Sequence, residues 1–109
     1  MAANKKPRKI VVGSMTFKII WNQELKKAKG LCKYVEQEIM IDSRLDEASK
    51  RHVLLHEIYH AIWYAYSFTP RMVRKHLEED VVSHFPPAFI DTMDLNPKVR
   101  EYLFPCVGE

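Results

Sequence analysis

Two histidines four residues apart, with a glutamate directly after the first, stand in the segment His56-Glu57-Ile58-Tyr59-His60. On a helix, positions i and i+4 lie one turn apart on one face, so both imidazoles can converge on one tetrahedral ion. Glu57 is turned by about 100° from His56 around the helix axis, close to such an ion without having to ligate it. That is the place for a general base. Zinc suits a donor set of imidazoles and a carboxylate. It acidifies water and polarises a carbonyl, while a nearby carboxylate takes up a proton and passes it to a leaving amine. The spacing therefore predicts hydrolysis of a peptide bond, with His56 and His60 as metal ligands and Glu57 as catalytic base.

Val53-Leu54-Leu55 before the motif and Ala61-Ile62-Trp63 after it carry no charge, which predicts a helix buried around most of its circumference. Burying two imidazoles and a carboxylate there costs several kcal/mol unless a metal ion compensates all three. His52, one turn earlier, reads as an exposed residue or a neighbour of the site. A catalytic centre with two histidines needs a third protein ligand and an open position. The acidic cluster Glu78-Glu79-Asp80 can supply the ligand. At about 100° per residue, Glu78 falls within the apolar face formed by Leu77, Val81, Val82, Phe85 and Phe89. Glu79 lies at the edge of that face and Asp80 points away. Glu78 is thus the expected third ligand and Glu79 the second choice.

The elements that must hold these residues follow from pattern. Residues 9–12 and 15–21 are rich in β-branched and aromatic side chains around Gly13-Ser14, a hairpin signal. Residues 31–35 and 38–42 form a second strand pair, with Glu36-Gln37 as the turn and Gly30 marking the way in. Helix signals begin at Ser43, with Ser43 or Asp46 as cap, and predict one long helix over about 46–67. Thr69-Pro70 opens a second helix from about Arg71 towards Met93, which Pro86-Pro87 is expected to kink or break. Asn96-Pro97 repeats the cap-and-proline signal before a short helix over 97–103. Strands followed by helices, without βαβ alternation, predict an α+β domain with a small antiparallel sheet and a helical half that carries the chemistry.

The chain has 109 residues, enough for one domain, read as residues 9–109 after a basic flexible tail over 1–8. No apolar run reaches the length of a membrane span, and no signal-peptide core follows the first lysines, so a cytoplasmic protein is expected. A net charge of +3, concentrated in the tail and in Lys26, Lys27 and Lys29, does not define a nucleic-acid surface. Cys32 and Cys106 are expected to be reduced and are given no role.

With these residues in view, LLHEIYHAIW followed by LEEDVV resembles the gluzincin-type zinc peptidases, and most of all small phage and prophage proteins related to the ImmA/IrrE metallopeptidases. The resemblance covers roughly residues 30–97. It implies a zincin-like helical half, zinc on His56 and His60, Glu57 as base, and a downstream glutamate, Glu78 or Glu79, as third ligand. It also implies a protein substrate of the class of DNA-binding regulators of phages or mobile elements. The chain departs from the longer members after the ligand glutamate, where it has Val81-Val82 and His84-Phe85. SprT-like zinc peptidases share the motif helix but use a third histidine, a role open to His76 and His84. The rival reading is a zinc-stabilised binding or regulatory protein without peptidase activity.

Overall fold

The computed structural model describes residues 6–66 and 77–105, apart from the side chains of 77–80 and 82. Four strands, β1 (Lys9–Val12), β2 (Met15–Gln23), β3 (Gly30–Lys33) and β4 (Glu38–Asp42), precede three helices, α1 (Glu47–Ala65), α2 (Leu77–Leu95) and α3 (Pro97–Leu103). This is an α+β architecture, a four-stranded sheet with three helices.

The expected hairpins form. Gly13 turns β1 into β2 with φ of +60°, a left-handed conformation that suits glycine. Gln37 takes φ of +57° at the end of the second turn, where its amide donates to the Thr16 carbonyl at 2.8 Å and its own carbonyl accepts from Lys18 N at 2.9 Å. Both hairpins are antiparallel, but the sheet as a whole is mixed. Its order is β1-β2-β4-β3, and β2 runs parallel to β4. The expectation of an antiparallel sheet is corrected at this one seam. Within the second hairpin the choice follows apolar content: β4, with Ile39 and Ile41 fully buried, takes the inner position beside β2, and β3, with no fully buried residue, takes the edge.

An ion pair fixes the crossing that this order requires. Arg44 grips the Asp42 carboxylate through Nε and Nη2 at 3.0 and 2.7 Å, and Nη2 also donates to the Leu25 carbonyl at 2.9 Å. Leu25 N donates back to Asp42 at 3.3 Å, so the β2–β3 connection is tied to the end of β4.

Alternate residues of the sheet, Ile10 and Val12, Phe17 and Ile19, Ile39 and Ile41, face one core with Leu54, Ile58, Ala61 and Ile62 of α1. Of the two caps expected for α1, Asp46 serves, its side chain accepting from Ser49 N at 2.7 Å. Tyr102 of α3 donates its hydroxyl to Glu47 at 2.7 Å, and Arg51 Nε donates to the Tyr102 carbonyl at 3.0 Å. These contacts dock the last helix across the start of α1.

Two local expectations need correction. The second helix is not broken at Pro86 and Pro87, both of them exposed, so of the kink or break expected there the break is corrected. On that side solvent can take the carbonyls that lose their helical partners. Its expected start near Arg71 lies outside the described residues. Asn96 precedes α3 but does not cap it with its side chain. Its amide instead pairs with β1, accepting from Val11 N at 2.8 Å and donating to Val11 O at 2.7 Å, as a neighbouring strand would. Of the tail expected over 1–8, Pro7 accepts from Trp21 Nε1 at 2.7 Å, and Lys6 lies over the Trp21 ring. Among the described residues, no helix is long and apolar enough to cross a membrane.

Candidate functional site

The middle of α1 presents different chemistry to each side. Its buried side, Leu54, Ile58, Ala61 and Ile62, holds the helix on the sheet. On the opposite side His56 and His60 are exposed, with their Nε2 atoms 3.2 Å apart and the rings edge to face. Either ring can donate to the other at that separation. Two nitrogens bound to one tetrahedral zinc at 2.0–2.1 Å stand about 3.3–3.4 Å apart, so the pair fits such an ion with little adjustment.

The expectation that all three motif groups are buried is corrected here. Only Glu57 is, at 6 % exposure. Tyr59 and Tyr64 are also exposed on α1, so the uncharged stretch is not buried all round. The cost of burial that argued for a compensating ion therefore applies to the glutamate and not to the histidines.

Glu57 packs towards β3, an edge strand of the sheet. A Cβ on Gly30 would collide with Val53 Cγ1 and stand 3.0 Å from Glu57 Oε2, so only glycine lets the strand come this close to the carboxylate. Burial pushes the Glu57 carboxyl above the usual carboxylate range, and the charges of His60 and His56 pull it the other way. The neighbouring Cys32 is a free thiol pushed up to about 12, by burial first and by the Glu57 charge second. Tyr34 is raised by burial and by the charges of Cys32 and Glu57, and its ring stacks on Tyr64 at 4.5 Å. The environment of Glu57 is thus a strand edge bearing Gly30, Cys32 and Tyr34.

On the other side of the histidine pair lies a groove of about 460 Å³ between α1 and α2, lined by His56, Tyr59, His60, Trp63, Val81 and Phe85. The four α1 residues sit at i, i+3, i+4 and i+7, one stripe of the helix. Tyr59 meets Phe85 and Phe89 edge to face at 5.0 and 5.9 Å, which holds α2 against the motif helix.

His56 and His60 are thus brought together on the exposed side of α1, and Glu57 stands on a neighbouring, buried side of the same helix. The side chains of Glu78, Glu79 and Asp80, and all of His76, lie outside the described residues. Among those described, no set of three His, Cys, Asp or Glu side chains is arranged around a common point. His52 and His84 are exposed and take no part in the groove lining. Sequence reasoning passed over Gly30, Tyr59 and Trp63. The i, i+3, i+4, i+7 stripe was the signal for the last two, while the Gly30 contact joins residues far apart in the chain and leaves no local pattern. Compared with family models, with curated proteins and with solved structures, the chain matches none.

Proposed function

We propose that the chain is a zinc-dependent peptide hydrolase acting on a protein. The observation that carries this reading is the convergence of the His56 and His60 Nε2 atoms at 3.2 Å beside the buried Glu57 carboxyl. His56 and His60 would hold the ion. Glu78 would complete the set, three and seven residues before the groove residues Val81 and Phe85 and so on their helical face, with Glu79 as second choice. When bound, zinc supplies a Lewis acid that polarises a carbonyl and acidifies water.

The chain's own residues do the rest. Glu57, buried next to the histidine pair, is the carboxylate that would accept a proton and release it to a leaving amine. The open β3 edge beside it offers backbone groups to an extended polypeptide, a mode of peptide binding that supplies main-chain hydrogen bonds. The α+β order, with the motif helix under an edge strand, agrees with the zincin-like arrangement that the resemblance implies. A regulator of a phage or mobile element as the substrate rests on that resemblance alone.

A second reading is favoured by one observation: Glu57 packs on Gly30 and does not line the groove. A carboxylate in that role would serve packing, and the metal site would stabilise a binding protein that does not cut. Metal analysis tests what both readings share. Purified protein should carry about one zinc per chain, and His60→Ala should lose it. No stoichiometric zinc after reconstitution would defeat both readings.

A further inference from the structure

We infer that the sheet face turned away from the helices docks an acidic, amphipathic helix of another protein. This face lies on the far side of the sheet from the helix that carries the histidine pair, so it is independent of the metal reading. Alternation gives each strand an inner and an outer side. The inner residues Ile10, Val12, Phe17, Ile19, Ile39 and Ile41 form the core with all three helices. The outer residues fall into rows set by the register. Lys9, Lys18, Glu38 and Lys33 stand side by side across all four strands, and Ile20, Met40 and Leu31 form the next row across three. The second row is wholly apolar, yet none of its members packs on the core. Ile20 and Met40 are half-buried, and Leu31 is 42 % exposed.

Charge decides what fits this row. Three lysines and Glu38 border it on one side. On the other side, beyond Ile20 in β2 and before Leu31 in β3, the 24–29 connection brings Lys26, Lys27 and Lys29, all exposed, together with Glu24. Six lysines therefore frame the row against two glutamates, and none of the six forms an ion pair with another described residue. A second copy of the chain would set lysine against lysine, which opposes association. A nucleic acid would meet Glu38 inside the lysine row, and an aliphatic row where stacked bases need rings. A protein segment with acidic side chains around an apolar stripe satisfies both features, with aliphatic burial at the centre and opposite charges at the rim. Two inter-strand steps of about 4.8 Å make the row roughly 10 Å across, the width of one helix.

The test uses the full chain, isotope-labelled for nuclear magnetic resonance, and three synthetic peptides of equal length. The first is built of leucine and glutamate with the leucines on one helical face. The second has the same composition in scrambled order, and the third carries lysine in place of glutamate. The first should bind at least about tenfold more tightly than either of the others. It should shift the amide signals of Lys18, Ile20, Leu31 and Met40 and leave those of His56 and His60 in place. Leu31→Ser should weaken binding about tenfold, and so should Lys18→Glu combined with Lys33→Glu, the spectrum of each variant reporting its fold. No binding of the first peptide, shifts centred elsewhere, or folded variants that bind as the wild type does would each overturn the assignment. Equal binding of the scrambled peptide also overturns it, by reducing the face to a general cation. An oligonucleotide that displaces the peptide from these residues at lower concentration overturns the partner class and puts a nucleic acid in its place. Zinc content bears on none of these outcomes, so the metal reading stands or falls separately.

Discussion

At the scale of single residues, Glu57 separates the two readings of the site. Glu57→Gln preserves size but cannot accept a proton, so it should retain zinc and the circular-dichroism spectrum of the wild type and lose hydrolysis of any substrate that the wild type cuts. Cleavage by this variant at the normal rate would remove Glu57 from the chemistry. Gly30 makes a second residue-level prediction. Gly30→Ala places a methyl group against Val53 and Glu57 and should lower stability by roughly 1–3 kcal/mol in urea unfolding, the usual cost of overpacking. A neutral result would mean that β3 and α1 separate freely. The motif itself was legible, because helical spacing alone puts His56 and His60 on one face. Their exposure was not, because apolar neighbours in sequence do not say which side of a helix meets the sheet.

At the scale of elements, six of the seven begin within about one residue of expectation, α2 being the exception because its expected start lies outside the described residues, and Gly13, Asp46 and Pro97 are local signals with local causes. Asp46→Ala should reduce stability by about 1 kcal/mol through loss of the α1 cap, and Ser43→Ala should leave it unchanged. Equal effects would put the cap elsewhere. The parallel seam between β2 and β4 was illegible because register between distant strands depends on which strand buries more, and the 24–29 connection allows either order. For the third ligand, helical spacing favours Glu78, so Glu78→Ala should abolish stoichiometric zinc binding while Glu79→Ala keeps it. The opposite pattern would assign the face to Glu79.

At the scale of the whole molecule, the Asp42–Arg44 pair ties the connection between the two hairpins to the end of β4. Its hydrogen bonds from Arg44 hold the Asp42 carboxyl far below the usual carboxylate range. A carboxyl depressed on folding contributes stability that is fully present above its unfolded value of about 3.9 and is lost as pH falls towards the folded value. The acid limb of unfolding free energy should therefore be steeper in the wild type than in Asp42→Asn below about pH 4, measured by urea titration at stepped pH. Identical limbs would show that the pair contributes nothing beyond its geometry.

The Asn96 amide that closes the outer edge of β1 belongs to a residue 85 positions further along the chain than Val11. Synthesis is vectorial, so the first strand is made long before its cover. At about 5–20 residues per second, Val11 waits roughly 4–17 s on the ribosome for Asn96 to be added. During that interval the sheet has two open edges, and afterwards the β1 edge is closed at Val11. A nascent chain arrested before residue 96 accordingly presents backbone groups at Val11 that the finished protein covers.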